Sequence, residues 1–246
     1  MPSARRASVA LAVTAPVAVL LTGCVSTQTV ASRARLVDAR IIASLHSTQV
    51  TRADRSVSVG APVVIRTADG DAVVVTLRNN SARQLTDLPI SVGVRRSSGG
   101  TTYLNSTAAL GYFYSHIAAI GPDASTKWVL TTGVRIPRGR VFATVGFPQL
   151  HPSLGHSLPL VSVSLRASRP ARGGVTVKLS IVNRSVIPQY YFPVYAIALR
   201  NGREVAAGRT AVSHLGTHGT TSTSVSLLGS SRYGSLELIA TPTIFN

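Results

Sequence analysis

The nine residues Val73-Val74-Val75-Thr76-Leu77-Arg78-Asn79-Asn80-Ser81 return in pattern 104 positions later, as Val177-Lys178-Leu179-Ser180-Ile181-Val182-Asn183-Arg184-Ser185. Both runs carry apolar side chains at every second position and close on Asn-x-Ser. A period of two marks a half-buried β-strand. Asn and Ser open loops because their side chains offer the backbone a local hydrogen bond in place of the ladder. The match continues at the same offset: Pro89 falls on Pro193, and Ile90, Val92 and Val94 fall on Val194, Ala196 and Ala198. Further on, Ile120-Gly121-Pro122-Asp123-Ala124-Ser125 aligns with Leu215-Gly216-Thr217-His218-Gly219-Thr220 at an offset of 95. The difference places a nine-residue insertion in the first copy, between about Gly99 and Ala119. The chain thus reads as two homologous units of roughly 90 residues each.

Working outward, each unit is built of short β runs separated by Gly, Pro, Asn and Ser, with no long helix. This is the pattern of an antiparallel sandwich. Val63-Val64-Ile65-Arg66, the turn residues Ala68-Asp69-Gly70-Asp71 and the run Val73–Leu77 read as a hairpin. So do Tyr195–Leu199, the turn Asn201-Gly202 and Glu204–Ala207. Asp69 and Asp71 are two carboxylates, too few for a calcium cage, and serve the turn. Trp128, alternating with Lys127 and Val129, is expected in the core. One strand breaks the half-buried rule: Tyr195, Ile197 and Leu199 lie opposite Val194, Ala196 and Ala198, so both of its faces are apolar. The first copy has Ser91, Gly93 and Arg95 there. The second copy is expected to bury this extra face against the first copy, the tether or another protein.

The strand ending in Asn-x-Ser, the Pro-led strand after it and the Gly-Pro-Asp turn resemble the immunoglobulin-like modules of bacterial surface proteins. The likeness covers Val57–Phe147 and Leu158–Asn246. It implies an all-β fold of two tandem immunoglobulin-like antiparallel β-sandwich domains, at 57–150 and 158–246. The chain departs from the antibody type in lacking a Cys pair.

The 246 residues include 25 Lys+Arg and 8 Asp+Glu, a formal net charge of +17, and 45% are hydrophobic. That is ample material for packed cores. A single Cys excludes a disulfide framework, an iron–sulfur site and a multi-Cys zinc site. Arg5 and Arg6 precede an apolar run from Val9 to Leu21, too short to span a bilayer, which takes ~20 residues. The run ends in Leu21-Thr22-Gly23-Cys24, and these residues resemble the lipobox of bacterial lipoproteins. The resemblance implies a signal peptide over 1–23, cleavage before Cys24, and diacylglyceryl transfer to that thiol. Two acyl chains hold a protein stably on a membrane. Residues 24–56 then form a tether. Within it Val30, Ala34, Val37, Ile41 and Leu45 define one face of a short helix, with Arg33 and Arg40 on another.

Signs of catalysis are few. Ser115 and His116 are adjacent, and neighbours in a strand point to opposite faces. No nucleophile elbow or phosphate loop occurs, so no enzyme activity and no cofactor are expected. His214 and His218 lie in a segment that reads as a turn, and His151 and His156 lie between the copies. A metal-dependent envelope enzyme using these histidines is the lesser alternative. The basic residues group at two expected loop tips, Arg135, Arg138 and Arg140, and Arg166, Arg169 and Arg172. An exported, tethered chain meets anionic lipid and wall polymers rather than nucleic acid. Aromatic residues bunch in Tyr112-Phe113-Tyr114 and Tyr190-Tyr191-Phe192, with at least one of each triplet expected to be exposed. The residues expected to contact a partner are Tyr112, Tyr114, Tyr190 and Tyr191, helped by Arg138 and Arg169. The function expected is a non-enzymatic, membrane-anchored envelope lipoprotein that binds or scaffolds an envelope protein or an anionic polymer. A purely structural spacer is the other reading.

Overall fold

The computed structural model describes residues 49–106, 111–148 and 158–243. The signal peptide expected over 1–23 with its lipobox-like motif, the helix expected over 30–45, and His151 and His156 lie outside the described residues. Within them the chain is all-β and antiparallel throughout, with a single 3-10 turn.

In the first copy β3 (Gly70–Asn79) is the centre of one sheet. Strands β1 (Val57–Val59) and β2 (Val63–Thr67) share one of its edges, and β7 (Ser125–Thr132) takes the other. The second sheet is centred on β4 (Leu85–Arg95). Here β5 (Thr101–Tyr103) and β6 (His116–Ile120) share one edge and β8 (Arg140–Val145) takes the other. The second copy repeats this plan. Strands β9 (Val161–Ala171), β10 (Gly174–Asn183) and β13 (Thr220–Gly229) rebuild the first sheet, with β9 covering the ground of both β1 and β2. Strands β12 (Arg203–Leu215), β11 (Gln189–Arg200) and β14 (Ser235–Ala240) rebuild the second. Two bridging pairs, Ala206 with Gly229 and Ala207 with Leu228, join these halves into one six-stranded sheet.

The repeat holds at the level of single hydrogen bonds. Asn79 Nδ2 donates to the carbonyls of Arg83 (2.6 Å) and Gly121 (2.9 Å), and its Oδ1 accepts from the Ser81 amide (2.9 Å). Asn183 does the same with Ile187 (2.8 Å), Gly216 (3.0 Å) and Ser185 (3.0 Å). Both Asn residues are wholly buried, and in each copy one amide group is satisfied by the strand end and two loops. The turns they hold match as well, with Asp123 at φ 48° and His218 at φ 52°.

The strand after this clamp begins earlier than expected. Gln189, Tyr190, Tyr191 and Phe192 belong to β11 rather than to a loop, just as β4 begins at Leu85, four residues before Pro89. Asp87 (φ 52°) and Tyr191 (φ 50°) take the left-handed conformation, and each ladder skips that residue while keeping register on both sides. Local alternation hides such a strand. The hairpin at Asn201-Gly202 forms as read, both residues having positive φ, as a type I′ turn requires.

Val73, Val75 and Leu77, with Trp128 and Leu130, face Ile90, Val92 and Val94 across the first copy. Val177, Leu179 and Ile181 face Val194, Ala196 and Ala198 across the second. The extra apolar face of β11 has a partner: Tyr195, Ile197 and Ala207 pack into the core of the first copy, with Leu199, Leu228 and Ile239 around them. Ala72, Val74 and Val129, on the outer face of the first copy's β3–β7 sheet, receive them. Tyr195 and Ile197 are at most 2% exposed. Each such side chain withdrawn from water contributes about 1.5–3 kcal/mol, so the copies dock face to face through a dry seam.

Candidate functional site

The insertion in the first copy gathers a cluster of buried polar groups, Asn105, Tyr112, Ser115 and His116 beside Asp87. Twelve residues separate Tyr103 on β5 from His116 on β6, where the second copy has three between the equivalent Ala207 and Ala211 of continuous β12. The extra chain splits the strand and exposes a gap in the ladder beside β4. Asn105 fills it: its Oδ1 accepts from the Val92 amide (2.8 Å) and its Nδ2 donates to the Ile90 carbonyl (2.7 Å). The same Nδ2 donates to the Tyr114 carbonyl (2.9 Å), which fixes the far end of the insertion.

That far end is the 3-10 turn Tyr112–Tyr114. Tyr112 is 5% exposed, its hydroxyl donates to Asp87 Oδ1, and its ring stacks flat on His116 at 4.0 Å. Tyr112 is therefore not a surface contact. It closes the insertion over the left-handed residue Asp87. Burial raises the Asp87 carboxyl above its ordinary range, against the opposing pull of His116 and the Tyr112 hydrogen bond. Burial and the neighbouring carboxylate push the Tyr112 phenol far above its usual range. Ser115 Oγ lies 3.0 Å from His116 Nδ1, a contact that strand alternation excludes. Ser115 sits in the turn before β6, where the rule of opposite faces does not apply. Serine and imidazole thus meet, but under the surface, and the hydroxyl that Asp87 orients belongs to Tyr112. The arrangement locks a loop.

Tyr114, half-buried, faces the second copy. The Arg209 guanidinium lies 3.8 Å over its ring and 5.5 Å from the Tyr195 ring, and donates to the Val129 carbonyl (3.1 Å). Beside it Lys127 Nζ reaches Glu237 (2.8 Å) and Glu204 (3.0 Å) of the second copy. Burial disfavours the Lys127 ammonium, but the two carboxylates outweigh it and hold its pKa above the ordinary value. Glu204 moves the other way, its own burial overcome by Lys127 and a backbone amide. Asp87, Asn105 and Arg209 carry this architecture without any mark in the sequence, and His116 joins them although strand alternation sets it apart from Ser115. A signal was present for Lys127, one of only two lysines in a chain with eight acids.

The remaining candidates lie on the surface. Tyr190 and Tyr191 are half-buried, and the Tyr190 ring tilts against His214 at 4.9 Å. His214 lies on β12 rather than in the turn, which begins at Gly216. No member of either aromatic triplet is fully exposed. Arg138 is exposed in the loop between β7 and β8. Arg169 is exposed too, but with Arg166 it stands on β9 rather than at a loop tip, because β9 runs on as a hairpin arm to the turn at Arg172-Gly173. Structure brings none of Tyr190, Tyr191, Arg138 and Arg169 together with the Tyr112 cluster.

Neither a protein-family model nor a curated protein matches the chain. The surface electrostatics therefore stand on this molecule alone. Of the seven described acids, Asp54, Asp71 and Asp87 are buried, and Asp69, Glu204 and Glu237 sit in ion pairs. Only Asp123, at an exposed turn, is in neither group. The outward charge among the described residues is almost purely guanidinium.

Proposed function

We propose that this chain is a non-enzymatic, membrane-anchored cell-envelope lipoprotein whose two immunoglobulin-like copies present a cationic surface to another envelope component. The observation that carries the reading is the disposition of charge. Nearly every described carboxylate is held inside the fold or in an ion pair, while Arg138 and Arg169 face solvent. A surface of that kind draws anionic lipid headgroups and polymers. The Leu21-Thr22-Gly23-Cys24 motif supports the anchor. The order β9-β10-β13 against β12-β11-β14 is that of strands A-B-E and C′-C-F in an immunoglobulin sandwich, which supports the module assignment. One feature departs from it: the halves of the second copy are bridged.

Intact mass of the native protein extracted from membranes, beside a Cys24→Ser variant, tests the anchor. Cleavage before Cys24 with a diacylglyceryl or triacyl addition is expected, and a full-length lipid-free mass refutes it. A second reading, a rigid spacer, is favoured by the seam that joins the copies and engages Tyr114, while the insertion itself buries Tyr112. Replacing Tyr190 and Tyr191 by Ala separates the two readings: a binder loses affinity for its envelope partner, and a spacer functions unchanged.

A further inference from the structure

The end of the second copy nearest the Asn201-Gly202 hairpin holds an open cleft of about 510 Å³, within the range of small-molecule sites. Val175, Pro170 and the body of Tyr233 supply its apolar lining, and Arg200, Arg232 and Ser168 its polar one. The loop that carries Arg232 and Tyr233 is held at both ends, by Ser230 N donating to Val205 O (2.8 Å) and Gly234 N donating to Leu199 O (2.8 Å). Between them Ser230 Oγ accepts from the Arg232 amide (3.1 Å), and the Tyr233 hydroxyl is tied to Ser168 Oγ at 2.6 Å. Neither guanidinium has a carboxylate within 4.0 Å among the described residues. Arg200 moreover stands directly across the ladder from Arg203, a like-charge pairing that weakens a hairpin.

The first copy lacks this site. At the matching offsets Pro137 replaces Arg232, Arg138 replaces Tyr233 and Val64 replaces Ser168. The Tyr–Ser tie is therefore particular to the second copy.

We infer that this cleft binds the phosphate ester of a small polyol or sugar. Guanidinium forks match a phosphate in bidentate geometry. A tyrosine body flanked by Ser168 and Tyr233 hydroxyls suits a hydroxylated carbon chain. A fixed loop binds without the cost of ordering. The inference rests on the described residues and holds whether or not the chain is anchored.

The test is titration calorimetry of the full-length chain in neutral detergent at constant ionic strength. The probes are glycerol 3-phosphate, the diester glycerophosphoglycerol, inorganic phosphate and inorganic sulfate. Saturable binding of at least one ester, five-fold or more tighter than either inorganic ion, is expected. A preference for the monoester assigns the site to a free phosphate ester, and a preference for the diester to a lipid headgroup or polymer unit. Arg200→Gln and Arg232→Gln should each weaken binding at least five-fold, while Arg184→Gln, at an exposed arginine by the far end of β10, leaves it unchanged. Equal affinity for sulfate, an equal loss in Arg184→Gln, or no saturable binding of either ester overturns the inference.

Discussion

Replacing Arg209 by Met tests whether the two copies act as one body. Met keeps an aliphatic stem of similar reach and removes only the guanidinium. That group donates to the Val129 carbonyl at 3.1 Å and covers the Tyr114 ring at 3.8 Å. A hydrogen bond from a charged donor is worth about 1.5–3 kcal/mol, and a partly desolvated cation–ring contact about 1–2 kcal/mol. Arg209 has no carboxylate partner among the described salt bridges, so relief of its desolvation offsets part of this. A net loss of about 2 kcal/mol results. Urea unfolding reads it with two probes. Fluorescence of Trp128, the only tryptophan, reports the first copy's core, and far-ultraviolet dichroism reports both copies. At a slope of roughly 2 kcal/mol per molar the midpoint falls by about 1 M. The two probes, coincident in the parent, should also separate as the copies come apart. In a double-mutant cycle with Tyr114→Leu the coupling energy should be about 1 kcal/mol. A midpoint within about 0.2 M of the parent, or a coupling of zero, would refute the idea that this contact fastens the copies.

Three further outcomes follow from the same seam and the insertion beside it. Tyr195 has a buried hydroxyl without a hydrogen-bond partner among the described residues, its pKa pushed up to about 12 by burial and only partly opposed by Arg209. Tyr195→Phe should therefore raise stability by about 1 kcal/mol in a thermal melt, and a loss of that size would mean that the hydroxyl has a partner. Asp87 is raised in the folded state, so the fold binds its proton more tightly than the unfolded chain and stability falls as pH rises from the unfolded value through the folded one. Asp87→Asn, whose residue suits φ 52° and still accepts from Tyr112, should remove that fall; an unchanged pH profile would sink the assignment. Glu204 carries the opposite sign: its lowered pKa gives stability that is present above the unfolded value and lost as pH falls. Lys127→Met should abolish that acid-side loss and cost about 1 kcal/mol at neutral pH, discounted because Lys127 and Glu237 are partly solvated.

The repeat was legible because its markers are local. Alternation at Val73–Leu77 and Val177–Ile181, the Asn-x-Ser endings and the Asn201-Gly202 turn each depend on neighbours a few residues away. Even the docking face could be read, since Tyr195, Ile197 and Leu199 had no reason to be apolar in a strand already buried on its other side. Residues acting over long distances in sequence were hidden. Asp87 and Tyr112 lie 25 apart and meet only because a left-handed residue in β4 faces an inserted turn. Val129 and Arg209 lie 80 apart and belong to different copies. The aromatic triplets misled for a related reason. Bunched aromatics between strands resemble an exposed loop, but Tyr112-Phe113-Tyr114 folds inward as a 3-10 turn and Tyr190-Tyr191-Phe192 enters β11 early.

The insertion explains how two copies of one plan came to be unequal. Both keep the Asn clamp and its turn, so the fold does not require them to differ. In the second copy β12 runs unbroken, and Ala207, Tyr195 and Ile197 form one apolar face. A strand without an inserted loop leaves that face open for docking. In the first copy the broken edge must be sealed by Asn105, Tyr112 and His116, and the seal sets Tyr114 where Arg209 meets it. Each asymmetry answers the other. The smooth copy supplies the face and the cation, while the interrupted copy supplies the ring and the Val129 carbonyl. Deleting the nine inserted residues would rejoin β5 to β6 but remove the ring from under Arg209. Such a deletion should therefore weaken the seam between the copies more than it weakens either core.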